Sequence, residues 1–281
     1  ILKALKKSEI TAMTGDGVND VPAISNAHVG IAMGSGSDIA KDASGMILLN
    51  DNFATIVKAI SEGRKIYDNI RRMLFYLLST SLGEVLSMVG CLLFGLPLPV
   101  TAIQILFVNL ATDTAMVIPL GLEPAESGHM ERPPRKVNEP LLSRILLSRM
   151  VVIGLTMAAM VVLSVFIMLK LGHDLAYIRT VAFIILIISQ WANAFNARSE
   201  FESFFRRIKT INRAMLVGLF IAFFAQFLVM FTSVGRFFGV VPIPFLKQVV
   251  IGLITIVVII IVSEIHKLII RRLVNNRLES D

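Results

Sequence analysis

Two groups of residues in this sequence have types and spacings suited to chemistry. The first is the run Thr14-Gly15-Asp16-Gly17-Val18-Asn19-Asp20, which sets two carboxylates four residues apart between an apolar strand-like stretch and the start of a helical one. Two glycines let the backbone approach a ligand closely. Carboxylates at a strand end beside a helix N-terminus suit a hard cation such as Mg²⁺ that a phosphate also holds. A turn rich in Gly, Asn and Asp is also an ordinary strand-to-helix connection, so the Gly-Asp-Gly core alone does not decide between the two. The second group lies in apolar surroundings. Glu84 stands near the middle of one long apolar run and Asp113 near the middle of the next. Ser81 precedes Glu84 by one helical turn, and Asn109, Thr112 and Asp113 fall at i, i+3 and i+4, so one helix face presents three oxygen-bearing side chains. Ionisable groups in such runs are costly and point to function. Carboxylates with oxygen-bearing neighbours, and no Cys or Met cluster, describe a site for a hard cation. The structural alternative is a hydrogen-bonded pair joining two helices, which the lack of any basic residue in these two spans weakens.

The elements that must position these groups divide the chain in two. Of 281 residues, 55% are hydrophobic and 17% charged, where a soluble domain carries roughly a quarter charged residues. Residues 1–72 read as soluble protein, and the remainder is dominated by apolar runs of about 20 residues, the length a helix needs to cross a bilayer. Within the soluble part, strands are expected at Glu9–Met13, Val29–Met33 and Met46–Leu49, with helices at Val18–Ala27 and Ser37–Ala43. Strand–helix alternation argues for a parallel sheet covered by helices. Three strands make a small sheet, and the chain begins with Ile, so it is expected to be a piece of something longer. Asp51-Asn52 is a plausible N-cap pair for a long helix from Phe53, which runs through Arg72 into the first apolar run without a Pro and so forms a stalk.

Six spans are expected: Met73–Phe94, Val100–Leu122, Ile145–Leu169, Ile178–Asn196, Ala214–Phe231 and Phe245–Ile265. The domains are then residues 1–62, part of a larger α/β unit, and residues 63–281, a stalk and an all-α membrane domain. Basic residues gather in the second-to-third loop (Arg132, Arg135, Lys136, Arg144), the fourth-to-fifth loop (Arg198, Arg206, Arg207, Lys209, Arg213) and the tail (Lys267, Arg271, Arg272, Arg277). Positive residues mark cytoplasmic loops, so both termini are expected in the cytoplasm of a multi-pass protein, in the plasma membrane. The net charge of +7 therefore reflects a lipid surface, and nucleic-acid binding is not expected. Cys91 lies inside an apolar run and reads as a small buried hydrophobe.

The full string TGDGVND resembles the last signature motif of the P-type ATPases, within the haloacid-dehalogenase-like phosphotransferases. The match extends through Pro22-Ala23, the stretch from Val29 to Gly36, and Asp51-Asn52-Phe53. The membrane part is similar as well. Asn109-Leu110-Ala111-Thr112-Asp113 resembles the NLxTD of the sixth membrane helix in the calcium-pump and sodium-pump branches, and Ser81-Leu82-Gly83-Glu84-Val85 the NxGEV of the calcium pumps' fifth helix. Glu123-Pro124 and the run from Met130 to Arg135 match the loop that follows. The resemblance implies that Asp16 ligates the catalytic Mg²⁺, that Asn19 lies near the phosphoryl group, and that Asp20 orients the site and helps hold the metal. It implies a cation, Ca²⁺ by preference, carried at Glu84, Asn109, Thr112, Asp113, Ser81 and Gln190. It further implies ATP as substrate, bound mainly by domains outside this chain, and an aspartyl-phosphate intermediate on a DKTG motif that does not occur in these residues. This chain alone is thus expected to be inactive. Two positions depart from the calcium pumps: Ser81 stands where they place Asn, and Gln190 where the alignment on Asn193-Ala194-x-Asn196 puts a Glu. The departures leave Mn²⁺, Na⁺ or H⁺ open as the ion. A non-ATPase six-helix transporter is the alternative of a different kind.

Other residues invite weaker readings. Gly34-Ser35-Gly36 is a tight turn rather than a nucleotide loop. Glu264 and His266 form a possible proton relay, or simply sit at the membrane interface within reach of water.

Overall fold

A computed structural model describes residues 1–7, 9–135, 140–200 and 202–278, with the helical backbone alone for 274–278. Lys136 and the side chain of Arg277, both among the basic residues used for orientation, lie outside the described residues. The chain forms two compact units, Ile1–Tyr67 with Ala125–Leu141, and Asp68–Pro124 with Leu142–Asp281.

The first unit opens with a short helix, α1 (Leu2–Leu5), and contains a parallel sheet of β1 (Ala12–Gly15), β2 (Val29–Met33) and β3 (Met46–Leu48) in that order. The register pairs Ala12 with Val29 and Gly15 with Ala32, then Ile31 with Met46. The first strand therefore sits further along than the expected Glu9–Met13. Pairing begins where the amides of His28 and Val29 donate to the Thr11 carbonyl, and it continues to the end of Gly15. Ile10 remains exposed. The helix expected at Val18–Ala27 is in two parts, a 3₁₀ turn at Val18–Asp20 and then α2 (Val21–Asn26), whose first turn holds Pro22 where the missing N–H costs nothing. Ser37 caps α3 (Asp38–Asp42), its hydroxyl accepting from Ala40 N at 3.4 Å. Ile24, Ile31, Ala32, Ala40 and Leu48 are the buried core between sheet and helices.

The Asp51-Asn52 pair does not cap as a pair. Asn52 Oδ1 accepts from Ala54 N at 2.9 Å at the start of α4 (Ala54–Leu93). Asp51 instead adopts a left-handed backbone with φ of 51° and turns its carboxylate to Ser35 N, at 3.2 and 3.3 Å. The Ser35 hydroxyl and amide hold this carboxyl below the usual carboxylate range. Gly34-Ser35-Gly36 is the tight turn expected. A Cβ on Gly34 would come within 2.8 Å of Leu48 O, and one on Gly36 within 2.9 Å of Asp16 O. Within the same unit, Ser61 Oγ meets His129 Nε2 at 2.8 Å, and Arg64 donates to the carbonyls of His129 and Arg132 at 2.9 and 2.8 Å.

Among the described residues, six helices are long and apolar enough to cross a membrane. The first is α4 itself, unbroken through the expected stalk and span. The second crossing is not one uniform helix: α5 (Ala102–Phe107) passes into a π-helical segment, Val108–Asp113, and then into α6 (Thr114–Gly121). Thr101 and Gln104 close a capping box at its start. Pro119 has no N–H to give Ala115 O, and a Cβ on Gly218 would lie 2.2 Å from that carbonyl. The others are α7 (Arg144–Lys170), α8 (Leu175–Ala197), α10 (Arg213–Phe231) and α12 (Phe245–Leu278), with the short helices α9 (Phe204–Arg207) and α11 (Val234–Phe237) between them. Burial ranks these helices: 67% of the apolar window of α8 is buried against 17% for α12, so α8 is the central helix of its unit. Cys91 is buried in the same core, as its surroundings in the sequence imply.

Candidate functional site

The loop after β1 is shaped by backbone hydrogen bonds to one carboxylate. Asp20 Oδ2 accepts from Asp16 N at 3.1 Å and Gly17 N at 3.2 Å, the arrangement of an acidic side chain reaching back to a helix start. Gly15 is required for that closure, because a Cβ there would stand 2.4 Å from Asp20 Cβ. Ser37 N fixes the loop from the other side by donating to Asp16 O at 2.8 Å. The Asp16 side chain is exposed, and among the described residues nothing donates to its carboxylate. Asn19 is also exposed. Asp16, Asn19 and Asp20 are thus brought to one loop, Asp20 engaged and Asp16 open.

The second cluster lies among the apolar helices. Glu84, on α4, is 8% exposed and is held by two amides: Gln190 Nε2 of α8 donates to Oε1 at 2.7 Å, and Asn109 Nδ2 to Oε2 at 3.2 Å. Gln190 Oε1 in turn accepts from Thr112 Oγ1 at 3.3 Å. Asp113 is 3% exposed and accepts from Tyr76 OH at 2.7 Å and from Thr80 Oγ1 at 3.4 Å. Neither carboxylate pairs with a basic side chain among the described residues. The π-helical segment supplies Asn109, Thr112 and Asp113 together, and Thr112 Oγ1 and Asn109 Nδ2 also bond the carbonyls of Val108 and Ile105. Side-chain bonds of this kind loosen regular helix pairing, and π-helical turns concentrate at functional sites.

Four of the six membrane residues singled out in the sequence, Glu84, Asn109, Thr112 and Gln190, are therefore linked by hydrogen bonds, while Asp113, next to Thr112, bonds instead to Tyr76 and Thr80. Ser81 does not join them: it is exposed and makes no side-chain hydrogen bond among the described residues. Tyr76 and Thr80 were missed. Their signal is the spacing Tyr76, Thr80, Glu84, which repeats at four residues and lines one stripe of α4. Asn193, known from the sequence only as an alignment anchor, donates to Ser79 Oγ at 2.7 Å and ties α8 to α4. Glu264 and His266 do not touch one another. Glu264 accepts from Ser203 Oγ, Phe204 N and Lys267 Nζ at 2.6, 2.9 and 3.1 Å, while His266 meets Ser148 Oγ at 3.1 Å.

The chain thus combines a small parallel sheet with apolar helices that carry buried carboxylates, and comparison with known proteins gives both parts relatives. Residues 97–269, more than half of the chain, match the model of the cation transporting ATPase C-terminus, and the chain belongs to that family. Residues 2–60 match the haloacid dehalogenase-like hydrolases. Among similar proteins is a calcium-transporting ATPase of Bacillus subtilis, 44% identical over 209 residues, which cover 73% of this chain and 24% of the relative. Calcium-transporting ATPase 1 of Lactococcus lactis is 41% identical over 75% of this chain and 24% of its own length. A probable calcium-transporting ATPase of Trypanosoma brucei is 36% identical over 83% of this chain and 26% of its own. The chain spans about a quarter of the length of these relatives.

Proposed function

We propose that this chain is the C-terminal part of an ATP-driven pump that moves a cation, Ca²⁺ by preference, through an aspartyl-phosphate intermediate formed on a residue outside it. The observation that carries the reading is the cluster of Glu84, Asn109, Thr112, Asp113 and Gln190. Two carboxylates without a basic partner among the described residues, buried among apolar helices, supply the charge a hard cation needs when it leaves water. Gln190 spends its amide on Glu84 and adds an oxygen without adding charge. One high-affinity ion per cycle follows more readily than two. The names of the relatives support Ca²⁺, with Mn²⁺, Na⁺ or H⁺ as the other candidates.

The phosphate loop fits Mg²⁺ by the chemistry of its donors. Among the described residues Asp16 offers an exposed carboxylate with no donor of its own, and Asp20 keeps Oδ1 free while Oδ2 holds the loop. These two residues would hold the ion, which supplies charge neutralisation at a transferring phosphoryl group. Asn19, exposed on the same turn, would lie near that group. ATP would be bound mainly by parts of the pump outside these residues. On this reading α4 carries motion to Glu84, and the basic loops place both ends of the chain in the cytoplasm, in a plasma membrane.

The deciding experiment is ATPase activity and phosphoenzyme formation of the full-length pump against a panel of cations. Micromolar Ca²⁺ should stimulate both. Stimulation by Na⁺ or Mn²⁺ alone would remove the calcium assignment and leave the site. For orientation, reagents added outside intact cells should label Gly172–Asp174 and not Arg132–Arg135, and the reverse pattern would overturn the topology.

A further inference from the structure

The atoms around Glu84 come from α4, the π-helical segment and α8, and besides the Asn193–Ser79 bond these elements are tied together at Glu123. That residue follows α6 by two positions and is fully buried, at 0% exposed. Arg198 Nε donates to both of its oxygens, at 3.0 and 3.1 Å, and Arg198 Nη2 lies 2.9 Å from Oε1. Arg207 Nη2 donates to Oε1 at 3.0 Å and Asn212 Nδ2 to Oε2 at 2.5 Å. Each donor stands at a helix end: Arg198 closes α8, Arg207 is the last residue of α9, and Asn212 caps α10. The backbone is fastened too. Asn69 of α4 donates to Gly121 O and Glu123 O at 2.9 and 3.0 Å, and Asn212 to Pro119 O at 3.2 Å.

One carboxylate thus joins the end of α6 to the end of α8. Asp113 lies ten residues before it, across α6 and the two residues that follow, and Gln190 eight residues before Arg198 along α8. At the helical rise these are stretches of at most roughly 15 and 12 Å. The contact made at their far ends is the Thr112–Gln190 hydrogen bond. We infer that Glu123 is a positioning residue for the cation site. By fixing α6 against α8 it sets the register in which Thr112 and Gln190 meet, and with it the affinity of the cluster for its ion. The inference rests on the proposal above that this cluster binds the transported cation. Glu123 itself touches no ion.

The test is a titration of ATP-dependent phosphorylation in membranes holding the full-length pump, using Ca²⁺ or whichever panel cation activates the unaltered protein. Glu123→Gln keeps the shape and removes the charge. It should raise the half-saturating cation concentration roughly tenfold, with phosphoenzyme at saturating cation and phosphorylation by inorganic phosphate without cation both retained. A merely structural role would lower the amount of phosphoenzyme and leave the midpoint in place. Arg198→Lys keeps the charge but loses the planar fork, so it should shift the midpoint the same way by less, and it serves where Glu123→Gln fails to accumulate. Combining Glu123→Gln with Gln190→Ala should cost less than the sum of the two, because both act through one contact. An unmoved midpoint in both clamp variants, or full additivity with Gln190→Ala, overturns the inference. Failure of the underlying reading looks different: no cation activates the unaltered pump, or Asp113→Asn titrates normally, and then both fall together.

Discussion

The loop at Asp16 and the cluster at Glu84 each rest on a pair of carboxylates, and they treat that pair in opposite ways. In the loop, everything that shapes the site lies close in sequence or in the neighbouring turn. Asp20 folds back on the amides of Asp16 and Gly17, and Gly15 leaves room for it. The result is one exposed carboxylate, Asp16, with its bonding capacity unspent. In the cluster, Glu84 and Asp113 bond to side chains from other elements or from distant turns, and the pair is buried. An exposed carboxylate is solvated by water and needs no protein donor, whereas a buried one is costly unless its oxygens are bonded. The loop can therefore be assembled from local sequence, and the cluster only from packed helices.

This contrast can be broken by mutation, beginning with the residues on which each pair depends most. Asp16→Asn in the full-length pump should cut phosphoenzyme turnover by more than about a hundredfold while the protein still reaches the membrane. A normal ATPase rate would end the Mg²⁺ assignment. Asp113→Asn should abolish phosphorylation by ATP that depends on the transported cation, yet leave phosphorylation by inorganic phosphate. Normal transport in that variant would show that the cluster is misplaced. Gly15→Ala places a methyl group against Asp20 and should weaken turnover by about tenfold or more, through a clash that costs roughly 1–3 kcal/mol to relieve. Unchanged kinetics there would mean that Asp20 does not need its bonds to the loop amides. Gln190→Ala removes one neutral donor to Glu84 and should raise the half-saturating cation concentration by about tenfold, a single hydrogen bond to a charged group being worth about 1.5 kcal/mol. The smallest effect is expected at Ser81. Its exposed hydroxyl makes no bond among the described residues, so Ser81→Ala should move that concentration by less than about twofold, and a larger shift would restore it to the ion site.

The spans show where reading a sequence stops. The apolar runs located the six apolar helices, although α12 runs on to Leu278, past the expected end at Ile265, and α4 continues without a break because nothing between Phe53 and Phe94 interrupts it. The π-helical segment Val108–Asp113 was not legible, since its residues fit a regular helix equally well and only the backbone hydrogen-bond pattern of the folded chain shows the difference. Tyr76 was not singled out because a lone Tyr in an apolar run reads as bulk. Its hydroxyl acquires a role only when Asp113 arrives 2.7 Å away.

The sequence by itself determined what is periodic or local: the parallel strands, the membrane spans, the Thr14–Asp20 loop, and the presence of Glu84 and Asp113 in apolar surroundings. Those features depend on neighbours within a few residues, so composition and spacing suffice to find them. The tertiary structure alone decided which distant side chains complete each site. It brought Gln190 to Glu84 across 106 positions and left Ser81 out, and it gathered Arg198, Arg207 and Asn212 around Glu123. Such pairings follow from the rotation and depth of one helix against another. Side-chain packing fixes those quantities to a fraction of a helical turn, and no sequence period records them.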